Sequence, residues 1–368
     1  MGSKKEYVND VAYNVRNEFS LNLDKIIERS YEKAFEILKK LGIIEYIEDK
    51  YIKNVFEILH KHGIIESMHT NYKKPKLEIL EDNISKNEPS VTREVAGEYS
   101  LSENKIKISK KFIESYIDDQ LKFLDHHEEE IKRSLDNLLK YFGYKGSISD
   151  IKDIGYLYVA HNLVFLYPSY INEKNKKESI AEAIALLTTL HEGWHSSDNN
   201  ILNILNKLDI NNILMNIDSI IKNDSTIKYI YDLLNILDNI LDNPDNPDNP
   251  DNPDNPELRA SAFEVPMYYL VNGFYKDVRE YIAAYHNILK CGEYIEEINK
   301  RKNGNNNNKQ DDKNNFNYDL SPYDLGYCYG NIIVAKYKSS LDKNIHKIID
   351  DIIHLNKKRA IEVIKHYI

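Results

Sequence analysis

The sequence predicts an α+β protein that is mainly α-helical and carries one small β-sheet. Three observations support this. Near the N-terminus, AFEILKKLGIIE (34–45) and VFEILHKHGIIE (55–66) repeat at an offset of 21, each an amphipathic turn closed by a glycine. Further on, EVAGEYSLSENKIKIS (94–109) alternates, with Ile106 and Ile108 on one face and a turn near Ser102, Glu103 and Asn104, which is a hairpin pattern. Third, ESIAEAIALLTTLHEGWHSS (178–197) places Ile180, Ala183, Ile184, Leu187 and Leu190 along a nearly continuous apolar helix surface.

Taken in order, residues 1–88 form an N-terminal helical region, with helices to about position 75. In its repeat, Gly42 and Gly63 are expected as left-handed caps, after which each Ile pair folds back on the last turn. Two copies are too few for a solenoid, so they predict a helical hairpin and a possible protein-binding surface. The polar stretch EDNISKNEPS (81–90) precedes a second region, 89–368. There the hairpin is followed by helices at about 110–142 and 177–197. Between them, IGYLYVAHNLVFLYPSYI (154–171) fits either strand or buried helix.

Two insertions interrupt this region. DNPDNPDNPDNPDNP (242–256) has proline at every third position, which neither helix nor sheet tolerates, so it is expected to be a tether. KRKNGNNNNKQDDKNNFN (300–317) is a polar low-complexity loop.

A net charge of −10 argues against nucleic acid as a partner. Cys291 and Cys328 are the only cysteines, too few for a disulfide framework or a thiolate cluster. The opening MGSKKEYVND has no apolar core of a signal peptide, and no run approaches a membrane span. The expected location is cytoplasmic, with no membrane partner.

Chemistry enters with His191, Glu192 and His195, in the order H-E-x-x-H. Histidines at i and i+4 lie one turn apart on one face, so both imidazoles can reach one ion, and the Glu beside them can take a proton from an activated water. With 12 His in the chain, chance supplies roughly 0.03 such matches, so a third ligand has to decide the matter. A candidate follows the tether directly. In NPELRASAFEVPMYYL (255–270), Asn255 suits the N-cap and Pro256 the first helical position. Glu257 and Glu264, seven apart, then share one face, and either carboxylate could complete a His₂Glu site.

With its later helix ELRASAFE, the sequence resembles the gluzincin group of zinc metallopeptidases, in which H-E-x-x-H is followed by a Glu-bearing helix. The resemblance covers about 94–337 with interruptions. It implies a zincin-like metallopeptidase domain with one zinc ion per chain, held by His191, His195 and Glu257, with Glu192 as general base for hydrolysis of a peptide or protein substrate. It also implies an edge strand that binds substrate by β-addition, for which NKIKIS (104–109) is the candidate. SPYDLGYCYGNIIVAKY (321–337) resembles segments that close the site in some gluzincins, with Tyr327 or Tyr329 as donor to the oxyanion. Two features depart from the pattern. Glu257 follows His195 by 62 positions, longer than in compact members, and position 261 is Ser where some relatives place an Asp that orients a ligand histidine.

Two other readings compete. Glu-x-x-His occurs at Glu57/His60, Glu66/His69 and Glu192/His195, the helix motif of carboxylate-bridged di-iron proteins, although His191 has no role there. The other is a non-enzymatic helical interaction protein in which the motif is accidental. DHHEEE (125–130) reads as a solvated helix face, and His161 and His286 as core or pocket histidines.

Overall fold

The computed structural model describes residues 21–47, 73–87, 92–100, 102–143, 155–159, 163–167, 173–205, 256–273, 284–293 and 321–367, with a few isolated positions besides. The fold is mainly helical with a small sheet. Among the described residues, no helix is long and apolar enough to cross a membrane.

Helix α1 (Leu23–Lys40) starts where the Asn22 side chain accepts from the Lys25 amide. It ends at Gly42, whose φ of 65° is the left-handed cap that its sequence predicts. Ile43 then begins the short helix α2 (Ile43–Ile47) and is buried. The buried face of α1, including Ile27, Phe35 and Leu38, packs within the chain against the helix that carries the H-E-x-x-H motif. The second copy lies almost wholly outside the described residues.

Five strands follow: β1 (Lys76–Leu80), β2 (Ile84–Asn87), β3 (Thr92–Val95), β4 (Gly97–Ser100) and β5 (Lys105–Ser109). The hairpin of β4 and β5 turns through Asn104 at a φ of 50°. β1, not foreseen, pairs with β5 in parallel, giving the order β1-β5-β4, while β2 and β3 form a separate antiparallel pair. The three-stranded sheet therefore draws on both sides of the expected boundary at 88/89. The segment 154–171 contains a hairpin, β6 (Gly155–Val159) and β7 (Leu163–Tyr167), which settles it as strand.

Ser109, whose side chain accepts from the Phe112 amide, caps α3 (Lys110–Tyr141). In DHHEEE on this helix, His126, Glu129 and Glu130 are exposed, as a solvated face requires. The hub of the fold is α4 (Glu173–Leu205). It packs against α1, α3, β4, β5 and α5 (Pro256–Asn272), and its expected apolar residues Ile180, Ala183, Ile184, Leu187 and Leu190 are all buried. Beyond them lie α6 (residues 284–293), α7 (Pro322–Tyr337), α8 (Ile345–Ile353) and α9 (Lys357–Tyr367). Cys291 on α6 and Cys328 on α7 form a disulfide that closes a loop containing the second insertion. Two cysteines make no framework but do make this single bond.

Strand β4 lies close on α4. A Cβ at Gly97 would stand 2.3 Å from Thr188 Cγ2 and 3.4 Å from Glu192 Cγ. Gly97→Val is therefore expected to cost about 1–3 kcal/mol by overpacking, read as a lower denaturant midpoint. An unchanged midpoint would mean that the strand and helix are not in close contact.

Candidate metal centre

Three helices supply the site. His191, Glu192 and His195 come from the middle of α4, Glu257 and Glu264 from α5, and Tyr323 and Tyr327 from α7. α5 begins at Pro256, so its first residue after the low-complexity tract is already helical and Glu257 lies in its first turn. The proposed N-cap, Asn255, lies outside the described residues. Phe263 of α5 packs against Trp194 of α4 with ring centroids 4.7 Å apart, fixing the two helices beside the motif. α7 closes on α5 at Gly326, where a Cβ would meet the Leu258 carbonyl oxygen at 2.5 Å.

Glu257 Oε2 lies 2.8 Å from His191 Nε2 and 3.2 Å from His195 Nε2, and the two Nε2 atoms are 3.1 Å apart. Among the described residues, His191, His195 and Glu257 offer ligand atoms all within 4.8 Å of one another, a group that could hold a metal ion. Glu264 is not a third or fourth member. Its Oε2 is hydrogen-bonded to the other nitrogen of the same ring, His191 Nδ1, at 2.8 Å. Helix rise explains the division. Seven residues span about 10.5 Å, too far for both carboxylates to meet at one point, so they take the two ends of the imidazole. Glu257 is the carboxylate that joins the histidine pair, and Glu264 orients His191.

The electrostatics favour a cation. Glu257 is 5% exposed and Glu264 1% exposed, and carboxylates so buried require partners. Burial acts to lower the His191 pKa, but the hydrogen bonds and charges of Glu257 and Glu264 outweigh it and raise it to about 10. Burial works against ionisation of Glu257, yet the charge of His195 and the hydrogen bonds of both histidines hold it well below the usual carboxylate range. A positive charge between these groups is stabilised wherever it is carried.

Glu192 is buried on the same helix and stands outside the converging group, beside Gly97. The tyrosines divide. Two residues turn a helix by about 200°, so Tyr327 and Tyr329 face opposite ways. Burial first, then the charge of Glu264 and a hydrogen bond to it, push the Tyr327 phenol far up, which places this side chain against the carboxylate that orients His191. Tyr329 is pushed up to about 12 by burial and Asp351, with Arg359 opposing. Asp351 lies on α8 and Arg359 on α9, so Tyr329 stands on the side of α7 that faces those helices. Tyr323, one turn before Tyr327, stacks on the His191 ring with centroids 5.7 Å apart and planes at 11°. Tyr323 had no assigned role among the sequence-based expectations. For Glu264 the sequence offered a shared face with Glu257 but not the orienting role.

The expected edge strand also needs correction. β5 has β1 on one side and β4 on the other, so its backbone groups are already paired. β4, with one partner among the described residues, is the edge nearest α4. The Ser109 amide donates to the Ala96 carbonyl, which sets the register so that the backbone groups of Gly97 and Tyr99 point away from β5.

His286 is a core histidine. It is fully buried on α6, hydrogen-bonded through Nδ1 to Ser134 Oγ at 2.7 Å, and lowered to about 4, chiefly by burial. His161 lies outside the described residues, as do Glu66 and His69 of the di-iron pattern. Glu57 and His60 are helical and take no part in the converging group.

The chain matches no family model, and no curated protein or solved structure matches it.

Proposed function

We propose that the chain is a zinc metallopeptidase of the gluzincin type, with a zincin-like catalytic domain that hydrolyses peptide bonds. The observation that carries this reading is the convergence of Glu257 on both histidines of the motif from a helix 62 positions downstream of His195. An accidental H-E-x-x-H has no reason to meet a buried carboxylate there, which weighs against the non-enzymatic reading. A di-iron site would leave His191 without a role, whereas this ring sits between two carboxylates.

The donor set fits zinc. Two imidazoles and one carboxylate are a familiar catalytic zinc set, and the Glu264 bond at Nδ1 leaves His191 Nε2 for the ion. A bound zinc ion would polarise the scissile carbonyl and lower the pKa of a water molecule. The remaining work falls to the chain. Glu192 accepts the water proton and later delivers it to the leaving amine. Glu264 fixes the tautomer and direction of His191, and burial together with the charge of Glu264 keeps the Tyr327 phenol protonated beside it. An extended substrate would pair with the outward backbone groups of Gly97 and Tyr99 on β4.

The test is incubation of the zinc-loaded protein with a mixed peptide library in ¹⁸O-labelled water. New C-termini carrying the label, and lost on chelation, are expected. Cleavage that survives chelation, or no cleavage from the zinc-loaded protein, would overturn the proposal.

Because the start of α5 is set at Pro256, the tract before it is expected to act as a passive tether. Deleting 243–251 should change stability by less than about 1 kcal/mol, since doubling a loop costs only about 0.6 kcal/mol. Deleting 252–256 should displace Glu257 and lower zinc occupancy. Equal, large losses of zinc from both deletions would show that the repeats themselves build the site.

A further inference from the structure

We propose that Tyr323 is a positioning residue for the metal centre, its ring holding the plane of His191 so that Nε2 is aimed at the ion. The inference rests on the metal-site reading given above and adds to it a residue with no place in the H-E-x-x-H pattern. The Glu264 bond at Nδ1 fixes one atom of the imidazole but leaves the ring free to tilt about that atom. A ligand nitrogen binds through a lone pair in the ring plane, so tilt matters as much as direction. The nearly parallel contact with Tyr323, at 5.7 Å and 11°, restrains that tilt from one face.

The restraint is only as firm as the helix that carries Tyr323, which stands in the first turn of α7. That turn is well fixed. Pro322 occupies an initial helical position, and Ser321 Oγ accepts from the Asp324 amide at 3.2 Å while donating to Asp324 Oδ2 at 2.8 Å. One turn further on, Tyr327 bears on Glu264, so a single face of α7 addresses both the ring and its orienting carboxylate. The close approach at Gly326 holds this face against α5.

The experiment measures zinc affinity, by competition with a chelating dye, and the visible spectrum of the cobalt-substituted full chain. Wild type is compared with Tyr323→Phe, Tyr323→Leu and Tyr323→Ala. Phe keeps the aromatic face and should bind like wild type. Leu and Ala should weaken zinc by about 10- to 100-fold, the usual effect of losing an outer-shell partner, and should shift the cobalt bands as the ligand field changes. Leu keeps apolar bulk at the position should the Ala variant fail to fold. A structural role alone would lower the melting temperature of Leu and Ala while leaving affinity and cobalt spectrum as in wild type, and that result overturns the proposal. So does a Phe variant as weak as Ala, which would place the effect in the hydroxyl. If wild type binds neither ion, the metal centre falls and Tyr323 with it. If wild type binds and all variants match it, Tyr323 alone falls.

Discussion

Glu192→Gln is expected to bind zinc like wild type but lose the proposed peptidase activity, with kcat down by about 10²- to 10⁴-fold. The two effects separate because of where Glu192 stands. It shares α4 with both histidines but is not part of the group that converges with Glu257. Gln has nearly the same shape, so the packing of this side chain beside Gly97 on β4 is preserved. What disappears is the capacity to accept a proton. Zinc occupancy and melting temperature should match wild type while labelled cleavage products vanish. A Gln variant that still cleaves at the wild-type rate would remove Glu192 from the mechanism.

His195→Ala should lose both metal and activity. His195 Nε2 is one of the three converging atoms, at 3.2 Å from Glu257, and its removal leaves two ligands. Zinc affinity should fall by more than the about 100-fold that an outer-shell loss costs at most. Alanine is the best helix former, so the variant should stay folded and the loss should be specific to the ion. Circular dichroism alongside dye competition separates the two effects. Stoichiometric, tight zinc binding by a folded His195→Ala protein would show that the ion sits elsewhere.

The parts of this site that were legible in the sequence are those fixed by local rules. Helical period placed His191 and His195 on one face, and Pro256 marked the start of the helix that delivers Glu257. A comparable start at Ser321 and Pro322, which begins α7, was not foreseen. Both insertions are followed by strong helix starts, so neither obscured the pieces that meet at the site. The missing parts depended on tertiary placement. Seven-residue spacing showed that Glu257 and Glu264 share a face, yet only the position of the His191 ring between them separates the carboxylate that meets both histidines from the one that bonds Nδ1.

Strand order was hidden for the same reason. KLEIL (76–80) alternates, but a short parallel partner far from β5 in sequence has no local turn to announce it, and it converted the expected edge strand into a central one. The disulfide escaped notice because Cys291 and Cys328 are 37 positions apart across a low-complexity loop.

The claim that His191, His195 and Glu257 hold one zinc ion is tested most directly by elemental analysis of the purified full chain. Wild type and the double variant His191→Ala/His195→Ala should each be dialysed against zinc and then against buffer. One zinc per chain in wild type and none in the variant is the predicted result. Zinc absent from both, or retained equally by both, would contradict it.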